Sequence, residues 1–534
     1  MKSWRLHWPV ACLLLILLFV AAVRIRLLAT PLERDEGEFA YAGQLMLAGI
    51  PPFRWIYNVK MPGIYAAYAA IMAVFGQTIT GIHLGLMLVN LAAIALIFSL
   101  ARRLFDSSAA VVAAATYALL SMGPSVFGFA AHATHFVVLA AVGGLLLLSC
   151  APPQGGLAIL FGSGLLLGLA FLMKQPGGAF AVFGFSLLVW SALCRRPAAW
   201  LPDGLRLAVF SAGVLAPVLL TAALMAAAGV WEKFWFWTVT YAGVHATLAP
   251  WSFGGRRLAL FLSSLGWDAL LWILAGVGLL CSLATRDRDA DRFFLPALLL
   301  FSAAAVCPTF HFFGHYFVML LPAVALLAGR AVSAAARQLA GHLNPAVRSA
   351  PWICFALCWF GVAWSHRDIF FELTPREVCN RTYGANNFGV YPELGGLLNT
   401  NLPPGATLAV FGSEPELLFY AHRRSVTGYV YMYDLVQAQP LAERMRAEMI
   451  AQVEAGKPDC VVYVNQRLSW IPTVAEYSRD MMRWLEPYLD KNYEPMGMVT
   501  MPPSTIYWGP GCFQKAPPDA RFISVFHRKK PLNR

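Results

Sequence analysis

TPLERDEGEFAYAGQLMLAGIPPFRWIYNVKMPG, residues 30–63, follows an apolar run from Trp8 to Leu28 and carries Arg34, Asp35, Glu36, Glu38, Arg54 and Lys60. Charged residues are 13% of the chain and hydrophobic ones 59%, so this cluster beside an apolar run needs a reason. A mean hydropathy of +0.60 and repeated long apolar runs lie far outside the range of soluble domains. The chain reads as a polytopic α-helical membrane protein, with residues 30–63 as its first loop at the membrane surface.

Outward from this loop, Met61 to Phe75 is shorter than the roughly 20 residues a span needs and contains Pro62, Gly63, Tyr65 and Tyr68, which reads as an interfacial helix. That choice sets the parity of everything downstream. Besides Trp8–Leu28, the candidate spans are 81–101, 109–127, 131–150, 156–173, 177–194, 205–229, 258–283, 293–309, 314–333 and 350–366, which makes eleven. With a cytoplasmic N-terminus, Arg102 and Arg103, Arg195 and Arg196, Arg286 to Arg292 and Arg330 to Arg348 all fall inside, as the positive-inside bias requires; the other parity puts them all outside. Arg24 and Arg26 at the far end of the first span blur its orientation, and a cleaved signal peptide is the alternative, although no small-x-small site follows. On either reading the opening loop, the 127–131 connection, the Lys174 turn, the aromatic loop Trp231–Arg257, the His311–Tyr316 turn and everything after about Arg367 are extracytoplasmic.

Residues 1–366 thus form the membrane domain, and 367–534 have the composition of a small extracytoplasmic α/β domain. In the latter, ATLAVFG (406–412) and CVVYV (460–464) are buried-strand patterns, and Leu441–Glu454 has helical spacing. The net charge of +12 sits mainly in short loops between apolar runs, which explains it without nucleic acid. The ten cysteines include no CxxC pair and no grouping with histidine, so no zinc site is expected. With Cys460 opening a core strand, Cys379 and Cys512 are left as the candidate disulfide.

Adjacent carboxylates at the start of a helical stretch have an ordinary explanation, since Asp35 is a good N-cap and Glu36 favours the positive helix end. An N-cap, however, need not be followed at the same membrane face by Arg54, Lys60 and a KMPG turn. A carboxylate held there, facing a lipid-borne phosphate, is suited to act as general base on an acceptor hydroxyl.

An Asp-Glu in the first extracytoplasmic loop, a YAxQ helix, a Gly-x-Pro-Pro turn, a Lys-x-Pro about 25 residues on and a later HYF…LLP span resemble the membrane glycosyltransferases of the GT-C fold. The likeness is to the group that contains the dolichyl-phosphate-mannose protein mannosyltransferases and the bacterial aminoarabinose transferase of lipid A. AVFGSEPELLFYAHRRSVTGYVY (409–431) also looks like the extracytoplasmic tail of bacterial members.

The resemblance implies an inverting transfer of a sugar from a polyprenyl-monophosphate carrier to an envelope acceptor, whether lipid, glycan or protein, at the outer face of a bacterial inner membrane. Asp35 matches the catalytic Asp and Glu36 its neighbour; Glu38 departs from relatives with Arg at that place. Lys60 matches the Lys-x-Pro lysine, whose cation would stabilise the leaving phosphate, although an interfacial Lys can simply reach to headgroups. Lys174, with Gln175 beside it, and His315 and Tyr316 are further candidate contacts to the carrier phosphate, and Arg256 and Arg257 could meet phosphate bidentately. Snorkelling and an aromatic belt are the ordinary readings of Lys174 and Tyr316.

His311 and His315 at i and i+4 are only a weak metal pair, and His132 and His135 lie where relatives place an acidic residue. The implied partners are the lipid-linked sugar donor, the envelope acceptor and membrane lipids. No resident cofactor is expected; divalent-metal dependence stays open, and Val59 before Lys60 cannot be a ligand. The alternative is a transporter or flippase of lipid-linked sugars, disfavoured because the charges gather at one surface and no internal repeat is visible.

Overall fold

The computed structural model describes residues 4–152, 155–194, 200–284, 291–470, 475–502 and 504–529. Arg195, Arg196 and Arg286 to Arg288, used above for orientation, lie outside them. A helical half is followed by a mixed sheet that sits against the first loop.

Helix α1 (Trp4–Arg26) leads to α2 (Arg34–Leu47), then α3 (Pro62–Phe75), α4 (Ile79–Leu104), α5 (Ser107–Leu120), α6 (Ala133–Cys150), α7 (Leu157–Met173) and α8 (Gly178–Cys194). Among the described residues seven helices are long and apolar enough to cross a membrane, and Pro62–Phe75, Ser107–Leu120, Leu157–Met173 and Phe293–Val306 are shorter apolar helices. The expected count of eleven is therefore not reproduced as eleven long helices. The span expected at 258–283 is two helices, Trp251–Ser264 and Ala269–Ala284, because Gly266 takes a positive φ of 49° between them. The span expected from 314 opens as a tight turn, Gly314–Met319, before helix Leu321–Leu339.

Leu321–Leu339 is the centre of the bundle, with Leu321 to Gly329 wholly buried. Backbones approach closely there: a Cβ on Gly329 would lie 2.5 Å from the Ala109 carbonyl oxygen, and one on Gly278 would overlap that of Leu327. Helix α3 is more than an interfacial helix. Ile64, Tyr65 and Tyr68 are fully buried, and it packs on α2.

Arg24 and Arg26 do structural work. Arg24 donates to Asn90 Oδ1 and to the Gly128 carbonyl, both at 3.0 Å. Arg26 donates to the carbonyls of Ile369, Phe370 and Leu373, which ties the end of α1 to the chain leaving the last membrane helix, Pro345–Ser365. Both guanidinium groups are engaged by acceptors inside the protein, which is why they are poor orientation signals.

The C-terminal part contains strands β1 (Thr407–Phe411), β2 (Arg424–Ser425), β3 (Cys460–Val464), β4 (Tyr493–Thr500), β5 (Ile506–Trp508) and β6 (Arg521–Arg528) in the order β2-β1-β3-β6-β4-β5. β1 and β3 pair in parallel, with helix Ala442–Gly456 in the crossover, and the remaining pairs from β3 to β5 are antiparallel. All ten cysteines are free, so the Cys379–Cys512 disulfide does not form. Cys379 is buried with its Sγ 3.8 Å from the Pro31 carbonyl oxygen, packed as a small apolar residue under the first loop.

The sheet region is fastened to α2. Arg34 pairs with the fully buried Glu414 at 3.1 Å and donates to the Ser413 carbonyl. Tyr431 donates to the Arg34 carbonyl at 3.1 Å, and Tyr41 Oη accepts from the Ser425 amide at 2.9 Å. Gly37 is required at the crossing, because a Cβ there would stand 2.4 Å from Glu416 Cβ.

Candidate active site

The start of α2 is set by a residue the motif reading overlooked. Glu33, not Asp35, is the N-cap: its carboxylate accepts from the Glu36 amide at 3.0 Å, while Glu36 Oε2 accepts from the Glu33 amide at 3.2 Å. The Glu-x-x-Glu spacing that makes this capping box is legible in the sequence. Relieved of capping, Asp35 projects from the first turn.

Asp35 meets Lys60, whose Nζ is 3.1 Å from Oδ1, and His315, whose Nε2 is 3.9 Å from Oδ2. The segment before α3 delivers Lys60, and Gln175 steadies that segment by donating to the Val59 carbonyl. Lys174 closes α7 and sets its Nζ 3.8 Å from the centre of the Tyr316 ring. Five of the expected residues, Asp35, Lys60, Lys174, His315 and Tyr316, therefore converge, and Gln175 supports them.

Glu36 and Arg256 are placed differently. Glu36 is buried behind the site, with Oε1 accepting from the Ala131 amide at 2.6 Å and facing His83 Nε2 at 3.0 Å. Arg256 is exposed on helix Trp251–Ser264; its neighbour Arg257 turns inward, donating to the His311 carbonyl at 3.0 Å and lying over the Phe313 ring. A step of one residue on a helix is about 100°, enough to exchange the outward and inward positions.

Three further groups complete the site. His132 stacks on His315, with ring centres 4.0 Å apart and planes 12° from parallel. Glu38 is fully buried and lies 3.9 Å from Lys60. Tyr65 donates to Glu38 Oε1 at 2.5 Å. His135, one turn beyond His132, is buried with neither ring nitrogen hydrogen-bonded.

Burial raises the proton affinity of Asp35, but Lys60, with His132 and Lys174 behind it, outweighs burial and draws the carboxyl down to about 2. Burial pushes His132 down to about 4, so at neutral pH Lys60 is the principal cation. Burial, then repulsion from Lys60, brings Lys174 down to about 7. Burial lifts Glu38 to about 7 although Lys60 opposes it.

Asp35, His132 and His315 each offer one ligand atom, all within 4.8 Å of one another. Two neutral imidazoles and a carboxylate, with His132 nitrogens and His315 Nδ1 lacking hydrogen-bond partners, form a donor set that fits zinc or a similar divalent ion. The expected His311–His315 pair is not this set: His311 stacks instead on His245, ring centres 5.8 Å apart.

The chain is a membrane protein with the fold of the GT-C glycosyltransferases. The sequence profile of the dolichyl-phosphate-mannose-protein mannosyltransferases matches residues 59–220. Among solved structures, ArnT from Cupriavidus metallidurans bound to undecaprenyl phosphate superposes with a TM-score of 0.59 at 15% identity, over 98% of this chain and 98% of that one. The apo state of the same protein gives 0.55 at 17% identity, over 95% and 97%. The archaeal oligosaccharyltransferase AglB from Archaeoglobus fulgidus, in complex with an inhibitory peptide and a dolichol-phosphate, gives 0.54 at 15% identity, over 97% of this chain and 76% of that one. No curated protein matches the sequence.

Proposed function

We propose that this chain is an inverting glycosyltransferase that moves a sugar from a polyprenyl-monophosphate carrier to an acceptor hydroxyl at the extracytoplasmic face of a bacterial inner membrane. The observation that carries this reading is the Asp35–Lys60 pair at 3.1 Å, with Lys174, Tyr316 and His315 converging on it. Undecaprenyl phosphate in one structural neighbour and dolichol-phosphate in another are carriers of the chemistry that these cations would hold.

The pair accounts for how a weak base becomes useful. While Lys60 neutralises it, Asp35 has little affinity for a proton. An arriving donor phosphate competes for Lys60, and once that contact loosens burial raises the affinity of Asp35 for the acceptor's proton. Lys60, joined by Lys174, then faces the charge that builds on the departing phosphate. Attack from the Asp35 side, opposite the leaving group, is a single displacement and inverts the anomeric centre. Glu36 has no part in proton transfer on this reading; it holds α2 against the 131 loop and His83.

The test is transfer from a panel of radiolabelled polyprenyl-phosphate hexoses and pentoses to envelope extracts by the purified protein and its Asp35→Asn variant. Wild type should label one acceptor fraction from one donor class, and Asp35→Asn should lose transfer while unfolding at nearly the same temperature. Transfer that survives in Asp35→Asn would remove the base, and no turnover of any donor by the wild type would remove the assignment.

A further inference from the structure

Glu38 is a carboxyl group that the reaction above does not use. It lies on α2, fully buried, one turn on from Asp35. Oε1 accepts from the Tyr65 hydroxyl at 2.5 Å, and Oε2 accepts from Asn58 Nδ2 at 3.0 Å. Asn58 in turn accepts from the Val59 amide at 2.7 Å, the residue before Lys60. Both oxygens are engaged, so no substrate atom need touch this residue. It also faces Lys60 Nζ, which is 3.9 Å from Oε2 and 3.1 Å from Asp35 Oδ1.

We infer that Glu38 is a positioning residue of this site: with Asp35 it holds the Lys60 ammonium between two carboxylates, and its own proton decides how much of that charge a donor phosphate meets. The inference rests on the function proposed above. With Glu38 protonated, Lys60 answers to Asp35 alone and its charge is available to an anionic donor. With Glu38 ionised, two carboxylates share one ammonium and a phosphate must compete with both.

The groups facing Glu38 set where this happens. From α2 comes Asp35, whose charge favours the protonated form; from the segment before α3, Lys60, which opposes it; from α3, the Tyr65 hydroxyl; from the sheet region, Tyr431, which also favours the ionised form. Behind Lys60 stand Tyr316 and, on the crossover, Asp434, which burial holds at about 6. Burial dominates and leaves Glu38 at about 7, where Lys174 also loses its proton. The cluster of Asp35, Lys60, Glu38 and Lys174 therefore changes from net positive to net negative across neutrality, as two protons leave it together.

Glu38→Gln keeps the shape and removes the charge. In nanodiscs, with the donor that the wild type turns over, we expect KM for donor at pH 8 to be about tenfold lower than wild type, since Glu38 is then mostly ionised, with little change at pH 6. The fall of kcat/KM above neutrality should change from a two-proton to a one-proton slope. Tyr65→Phe, which removes a hydroxyl favouring ionised Glu38, should move that fall to higher pH, and it serves if Glu38→Gln does not accumulate. Equal KM values for wild type and Glu38→Gln at pH 8, or an unmoved fall in Tyr65→Phe, would overturn the inference.

Thermal unfolding supplies a readout that needs no turnover. Glu38→Gln should unfold at a higher temperature than wild type at pH 8 and at the same temperature at pH 5. If no donor is turned over by wild type, the proposed function fails on its own account. The absence of any pH-dependent gain in unfolding temperature would independently overturn the placement of an ionising Glu38 beside Lys60.

Discussion

Replacing Lys60 with Met tests the central pair, because Met keeps the packing on Phe39, over whose ring Nζ lies at 5.0 Å, and removes only the charge. The Asp35 carboxyl is drawn from 3.8 to about 2 against the opposing effect of burial, which at 1.36 kcal/mol per unit makes the net electrostatic stabilisation of its ionised form about 2 kcal/mol. Without Lys60, burial is opposed only by His132 and Lys174, and the Asp35 carboxyl rises from its depressed value. A base whose affinity for protons has risen is lost as pH falls through the new value, so the acid limb of kcat/KM should move to higher pH.

The second loss falls on the departing phosphate. Removing one charge-stabilising donor from a water-poor site lowers turnover by about 10²–10³, offset in part because Lys174, freed from repulsion by Lys60, holds its proton to higher pH. The assay is transfer from the radiolabelled donor in nanodiscs between pH 4 and pH 8, with kcat and KM separated. A kcat/KM within about threefold of wild type, or an acid limb that stays where it was, would refute both the leaving-group role and the account of Asp35.

Lys174→Arg keeps its charge at every accessible pH, so the fall in kcat/KM above neutrality should become shallower by one proton; an unchanged slope would show that Lys174 does not titrate in the free enzyme. Gly37→Ala places a Cβ against Glu416 Cβ at 2.4 Å and should cost about 1–3 kcal/mol, seen as a lower unfolding temperature and faster protease cleavage between the bundle and the sheet. An undiminished unfolding temperature would mean that α2 and the helix Glu416–Ala421 are not in contact.

How much of this was legible depended on the distance over which each signal acts. Hydropathy marks helices because apolar length is a local property, and it found the strands at 407–411 and 460–464 for the same reason. It could not see that Gly266 breaks one apolar run by taking a positive φ, or that Gly314–Met319 is a tight turn set close against Ser125. Asp35 and Lys60 could be paired from the sequence because 25 positions separate them within one loop; His132 belongs to the same cluster at a separation of almost a hundred, and only the fold joins them. Arg256 and Arg257 could not be told apart in the sequence, because two adjacent arginines are indistinguishable until the helix phase is known. Glu38 is the most instructive case. As a departure from the motif it looked like a missing cation, whereas the fold buries it as a carboxyl between Tyr65, Asn58 and Lys60. On the reading proposed above, a second buried carboxyl beside a shared ammonium keeps the ion pair but changes the pH at which the pair gives up its cation.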